Sequence, residues 1–217
     1  MSEPMIAAAA GLPLLVGWSV HALRLRRRIE AARRDPLTGL WTRSAFEERA
    51  REQLSRPRSV VYLLDLNRFK EVNDTHGHAA GDTVIRATGE RLAEWAYIND
   101  ATVGRLGGDE FAAVAYHRSR TELEWALAEL THALTQPIDI GGLHVAVGAS
   151  IGVVDVDPRA GVVDLSQVLR CADEQMYAAK RAGIPWQLTD DLTPQCATVT
   201  GRRGGRLGST GGTEAAA

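Results

Sequence analysis

The residues best suited to chemistry in this chain are carboxylates set beside glycines. In Arg105-Leu106-Gly107-Gly108-Asp109-Glu110-Phe111, two adjacent acids follow two glycines, and apolar runs from Ala101 to Leu106 and from Phe111 to Tyr116 flank them. The pattern predicts a β-hairpin with Gly107-Gly108 as its tight turn. Glycine accepts the positive φ angles such a turn demands and, lacking Cβ, lets a ligand approach the backbone. Adjacent Asp109 and Glu110 repel each other and gain nothing structurally, whereas a bound Mg²⁺ and a phosphate chain would make their placement favourable. A solvated hairpin tip is the competing reading. Upstream, Val60-Val61-Tyr62-Leu63-Leu64 reads as a buried central strand that delivers a further carboxylate, Asp65, at its carboxyl end.

Asp65 opens Asp65-Leu66-Asn67-Arg68-Phe69-Lys70, which continues through Glu71-Val72-Asn73-Asp74 to Gly77-His78 and Gly81-Asp82. This stretch, with Arg105 to Phe111 at its spacing, resembles the GGDEF domain, the catalytic module of diguanylate cyclases. Asp35-Pro36-Leu37-Thr38-Gly39-Leu40, and Ala172-Asp173 through Tyr177-Ala178-Ala179-Lys180, are similar to the family's opening and closing motifs. The resemblance therefore covers residues 35–190. It implies an α+β fold: a palm-like mixed β-sheet flanked by helices, of the kind that nucleotide cyclases and polymerases share. It also implies a reaction in which the 3′-hydroxyl of each of two GTP molecules attacks the α-phosphate of the other, releasing pyrophosphate and closing cyclic di-GMP.

The same resemblance implies a role for each site residue. Asp65, the Leu66 carbonyl, Asp109 and Glu110 would hold Mg²⁺, with Mn²⁺ as the alternative, and Gly107 and Gly108 would complete the catalytic turn. Phe69, Lys70, Asn73, Asp82, Arg105 and Lys180 are expected at the substrate. A homodimer would bring two GTP sites face to face. The chemistry suits the residue types, because phosphoryl transfer asks a protein mainly to position reactants and neutralise developing charge. Guanine offers N1–H and an exocyclic amine on one edge, and a carboxylate such as Asp82 accepts both, with the Asn73 amide beside it. Asp82 after Gly81 would also make a good helix cap. Lys70 and Lys180 carry compact charges suited to a triphosphate, although isolated lysines are commonly solvated surface. Arg105, just before the hairpin, would organise the site.

The chain departs from the family at two places. Family members often place an arginine directly after the glycine that follows the closing lysine, but here Gly183 is followed by Ile184. That departure keeps a catalytically weak or inactive GTP-binding module as the alternative function. Product-inhibited members carry Arg-x-x-Asp upstream of the hairpin, where this chain has Ile98 and Ala101, so that inhibitory site is expected to be missing. His76 and His78 form a His-x-His pair without the other ligands a transition metal would need.

Composition bounds the rest. A chain of 217 residues with 45% hydrophobic content can bury one full-sized core, and a net charge of −2 argues against a nucleic-acid partner. Two cysteines, Cys171 in an expected helix core and Cys196 in an expected tail, give no disulfide framework. Residues 5–23 contain no Asp, Glu, Lys or Arg, and at about 1.5 Å per residue they just reach across a ~30 Å hydrocarbon layer. Arg24, Arg26, Arg27 and Arg28 follow directly, which predicts a single-pass anchor in the plasma membrane with the domain in the cytoplasm. A buried core helix is the alternative. Residues 1–34 are thus read as anchor and helical stalk, with Ala22, Leu25, Ile29 and Ala32 as a short coiled-coil seam and Pro36 as the stop. Residues 191–217, rich in glycine and without periodicity, are read as a disordered tail.

Within the domain, Thr42 caps an expected helix from Arg43 to Leu54, Ser59 to Asp65 is the expected first strand, and Phe69 to Asn73 a short helix. Asp82 to Trp95 and Thr121 to Leu134 carry helical apolar stripes. Ile138 to Ile140 and Leu143 to Val154 read as a hairpin with a long second arm, and Leu165 to Lys180 as a final helix.

Overall fold

In chain order the elements are α1 (Glu3–Ala32), β1 (Trp41–Thr42), α2 (Arg43–Leu54), β2 (Ser59–Leu66), α3 (Phe69–His76), α4 (His78–Ile98), β3 (Thr102–Gly107) and β4 (Glu110–Tyr116). They continue with α5 (Arg120–Thr135), β5 (Ile138–Ile140), β6 (Leu143–Val145), β7 (Ala149–Asp155), α6 (Leu165–Ala182) and β8 (Trp186–Thr189). This computed structural model describes residues 3–55, 58–156 and 164–192, with the side chains of residues 3–17 excepted.

The β2 run is buried along its whole length because both faces of the sheet are covered. Side chains alternate across a strand, so Val60, Tyr62, Leu64 and Leu66 enter one core with α4 and α5, while Val61 and Leu63 enter a second with α2 and α6. The six-stranded sheet has the order β1-β3-β4-β2-β7-β8. Its central pairings, β2 with β4 and with β7, are antiparallel, whereas its edges, β1 with β3 and β7 with β8, are parallel. The result is the expected α+β arrangement of a mixed sheet flanked by helices.

Three local expectations change. Leu143 to Val154 is not one arm: β5 and β6 form their own two-stranded sheet, and β7 joins the main sheet. Burial explains the break, since Leu143 and His144 are exposed whereas β7 is buried through Val154. Helix α4 begins at His78, four residues before the expected Asp82, with Gly77 as its cap residue. The sheet gains β1 and β8 at its edges, both too short and too evenly half-buried to give an alternating signal. Cys171 is buried in the α2–α6 core, as expected, while Cys196 and the tail from residue 193 lie outside the described residues.

The expected membrane span falls within α1, and most of it, residues 5–17, lies outside the described side chains. Among the described residues no helix is long and apolar enough to cross a membrane, so the structure lends the span no support. α1 ends at Ala32, a little before Pro36. Its junction is fastened by Arg33 on Glu48 at 2.7 Å and by Trp41, whose ring lies between the Arg34 and Arg49 guanidinium carbons at 3.4 and 3.7 Å. Leu25 and Ile29 of the expected seam are exposed in the single chain.

One polar pair sits deep in the α4–α5 core. Tyr62 Oη and His117 Nε2 share a hydrogen bond of 2.6 Å, both residues are buried, and Trp95 meets the Tyr62 ring edge-on at 5.3 Å. Burial pushes the His117 pKa down, against the pull of Glu122 and Asp155. A base held below its unfolded value contributes fully above that value, about 6.5, and its contribution is lost as pH falls from there through the lowered value of the folded state. Melting temperatures taken from about pH 8 to about pH 5 are therefore expected to fall more steeply for the native chain than for His117→Asn, which hydrogen-bonds without titrating in this range. Equal slopes would contradict this role.

Candidate active site

The acids of the site are positioned by strand pairing. Asp65 lies at the end of β2 directly opposite Glu110 of β4 and opposite Ser150 of β7. Opposed residues on neighbouring antiparallel strands project from the same face, about 5 Å apart at Cβ, so Asp65 and Glu110 form a carboxylate pair. The hairpin differs from expectation by one residue. Gly107 pairs with Glu110, a bulge lies between Arg105 and Gly107, and the two turn residues are Gly108 and Asp109. Gly108 has φ +55°, which glycine adopts without strain. The Asp109 carbonyl accepts from the Leu66 amide at 3.3 Å, which ties the turn to the end of β2.

Lys180 reaches this pair from α6: its Nζ donates to Asp65 Oδ1, where the carboxylate is buried and the lysine half-exposed. That reach depends on how closely α6 lies on the sheet. A Cβ at Gly152 of β7 would stand 1.9 Å from the Ala172 carbonyl oxygen and 2.4 Å from the Met176 nitrogen, so only glycine allows the helix backbone to sit there. Asn67 continues the site, its amide donating to the Gly148 carbonyl at 2.8 Å and its Oδ1 accepting from Ser150 Oγ at 2.8 Å.

Arg105 organises the turn itself. Its Nε and one terminal nitrogen donate to the Gly108 carbonyl at 3.0 and 2.8 Å, and its other terminal nitrogen bonds both Asp35 oxygens at 3.1 and 3.2 Å. The guanidinium thus ties the turn to Asp35 of the opening motif. Burial pushes the Asp35 pKa up, but donation from the Thr38 hydroxyl and amide and from Arg105 outweighs it and holds the carboxyl below its usual range. Arg43, at the start of α2, adds a hydrogen bond to the Leu106 carbonyl at 3.1 Å and lies 4.0 Å from the Glu110 carboxylate.

A second group gathers where α3 meets α4. A Cβ at Gly81 would lie 2.0 Å from Asn73 Oδ1 and 3.2 Å from Phe69 Cζ, so glycine admits both side chains against α4. Asp82 is the next residue, exposed and already inside the helix. It is therefore not the cap, and its side chain is available for other contacts. Phe69 packs on the core from the same corner, and Lys70 is exposed on α3. A cleft of about 490 Å³ opens beside Lys180, lined by Asn67, Arg68, Ser150, Ile184 and Pro185 among others.

The donor set suits Mg²⁺, a hard cation that takes carboxylate and carbonyl oxygens and usually completes its shell with water and substrate phosphates. Asp65 and Leu66 end β2 and Glu110, opposite Asp65, begins β4, and the buried Asp65 carboxylate is compensated by a cation, the Lys180 ammonium. Among the described residues no group of three or more His, Cys, Asp or Glu side chains is placed to hold a metal alone, which fits a cation whose shell substrate phosphates and water would complete. His76 and His78 fall at a helix end and a helix start, both exposed, and among the described residues no metal cluster includes them. Sequence reasoning missed Asp35 and Arg43 as parts of the site. The opening motif marked Asp35, but its partner Arg105 lies 70 residues away, and nothing local to either residue discloses the bond.

The family profile described as "Diguanylate cyclase, GGDEF domain" matches residues 32–184. An uncharacterized 19.3 kDa protein from the repSA 5′ region of Streptomyces ambofaciens is 47% identical over 179 residues, covering 82% of this chain and 93% of its own. The diguanylate cyclase DgcN of Escherichia coli is 36% identical over 158 residues, 70% of this chain and 38% of that protein. This chain thus spans well under half the length of that named cyclase. Among solved structures, the diguanylate cyclase SiaD of Pseudomonas aeruginosa, crystallised with its activator SiaC, superposes with TM-score 0.66 at 29% identity, covering 85% of this chain and 71% of that one. The coiled coil and GGDEF domain of Caulobacter crescentus DgcB gives TM-score 0.70 over 87% of this chain and 99% of that one; at 24% identity it speaks for the fold alone. With the profile extending over β2, the hairpin and Lys180, the chain belongs to the GGDEF domain family.

Proposed function

We propose that this protein condenses two GTP molecules into cyclic di-GMP and pyrophosphate. The observation that carries the proposal is the pairing of Asp65 with Glu110 across adjacent strands, with Lys180 on Asp65 and the Gly108 turn clamped by Arg105. A phosphate chain laid along this strand end meets Lys180 and, at the turn, a backbone free of Cβ. Asp82, next to Gly81 in the chain, and Asn73, packed against Gly81, take the guanine edge. Mg²⁺ held by Asp65, Asp109, Glu110 and the Leu66 carbonyl would supply charge neutralisation at the reacting phosphate. In each half-reaction the 3′-oxygen of one GTP forms a bond to the α-phosphorus of the other as the bond to the β-phosphate oxygen breaks. Because each chain offers one GTP site, turnover requires a two-fold pair of chains. Attachment to the membrane through residues 5–23, with the domain in the cytoplasm, rests on the apolar sequence and the arginines that follow it.

A second reading is a GTP-binding module that has lost turnover, favoured by Ile184, which has no donor where the resemblance leads one to expect arginine. A relative named for the opposite activity, the cyclic di-GMP phosphodiesterase PdeR of Escherichia coli, is 33% identical over 156 residues.

The base-recognition part is tested by Asp82→Asn. The change puts a donor against guanine's donors, an unpaired contact costing roughly 1–3 kcal/mol. GTP affinity should fall about tenfold or more while the thermal melt stays as it was, because Gly77, not Asp82, ends the helix. Undiminished GTP binding would remove Asp82 from the guanine site.

A further inference from the structure

The cleft beside Lys180 has an uneven wall. At about 490 Å³ it is within the usual range for a small-molecule site, about 300–1,000 Å³. Ile184 and Pro185 form an apolar side that can donate no hydrogen bond, and the cations on its lining are Lys180 and Arg68. Lys180 is already engaged by Asp65. The Arg68 guanidinium is exposed and has no hydrogen bond or ion pair among the described residues.

The backbone at Arg68 is also unusual. With φ 57° and ψ 23° it adopts the left-handed conformation, uncommon for any residue but glycine and asparagine and costly for a long side chain. It is held there by the neighbouring Asn67 amide on the Gly148 carbonyl and by its own carbonyl, which accepts from the Val72 amide at 3.3 Å. Strained residues of this kind gather where a site needs a side chain in a particular place. A guanidinium presents a planar fork of donors that matches phosphate oxygens in pairs.

We propose that Arg68 is a substrate-binding residue that takes the terminal phosphates of a nucleoside triphosphate in this cleft, supplying from the β2–α3 loop the cation that Ile184, on the lining of the same cleft, does not. Resting on the assignment of the site to GTP, this adds a residue the expected substrate set did not contain. It also explains how the apolar residue at 184 is compatible with triphosphate binding.

Calorimetric titration of the full chain in Mg²⁺ with a GTP analogue carrying an α,β-methylene bridge, and separately with GMP, tests it. Arg68→Asn is the informative variant, since asparagine tolerates the left-handed backbone and the melt serves as a fold control. Affinity for the triphosphate should fall about tenfold with GMP affinity unchanged. Adding Ile184→Arg to Arg68→Asn should recover most of the loss, because it restores a guanidinium to the same cleft. Unchanged triphosphate affinity in Arg68→Asn overturns the proposal, and so does an equal loss for GMP, which would mark a general disturbance of the site. If the native chain binds neither nucleotide, the assignment of the site to GTP falls, and this proposal with it.

Discussion

Asp65→Asn is expected to reduce cyclic di-GMP synthesis by about a thousandfold, ~4 kcal/mol of transition-state stabilisation. The residue stands where the end of β2 meets the starts of β4 and β7, opposite Glu110 and Ser150 and in contact with Lys180. Asparagine keeps the shape of the side chain but removes the charge that Mg²⁺ and Lys180 both need. The fold should survive. Lys180 is 46% exposed, so its ammonium can turn to water once its partner is neutral, and no unpaired buried charge is left behind. Circular dichroism and melting should match the native chain while product formation is lost. Turnover within a few-fold of native would remove Asp65 from the catalytic machinery.

Gly152→Ala is expected to damage both stability and activity. The added methyl would meet backbone atoms of α6, at 1.9 Å from the Ala172 oxygen and 2.4 Å from the Met176 nitrogen, and a helix backbone cannot rotate aside as a side chain can. Relief requires α6 to move away from β7. Overpacking of this kind costs typically about 1–3 kcal/mol, and the upper end applies where the contact is with main chain. The same movement draws Lys180 away from Asp65, so activity should fall further than the lost fraction of folded protein explains. Urea denaturation alongside initial rates separates the two effects. A variant with native stability would show that α6 sits less tightly on the sheet than the structure has it.

Much of this arrangement was legible in the sequence because it depends on local pattern. The β2 run is contiguous and apolar, so both its burial and the delivery of Asp65 at its end could be read directly. The hairpin was announced by its glycines, although the one-residue bulge before Gly107 moved the turn from Gly107-Gly108 to Gly108-Asp109. The start of α4 was misplaced for a physical reason. Gly81-Asp82 carries a strong capping signal, but Gly81 is glycine because Asn73 and Phe69 press on it, and the helix begins earlier, at a Gly77 whose φ of +82° suits the corner. Contacts between distant residues were beyond reach: Arg105 with Asp35, and Arg43 with Leu106, join parts of the chain that no spacing rule relates. The edge strands β1 and β8 were missed because pairing with β3 and β7, rather than their own composition, makes them strands.

The central claim, that two GTP molecules are joined here, is tested most directly by incubating the purified full chain with GTP and Mg²⁺ and identifying the nucleotide products by mass spectrometry. Cyclic di-GMP should form with two pyrophosphates released for each molecule, at an initial rate that rises more steeply than in proportion to protein concentration while chains are still pairing. Cyclic GMP as the product, or GTP recovered intact at protein concentrations where the chain is shown to be dimeric and to bind GTP, would contradict it.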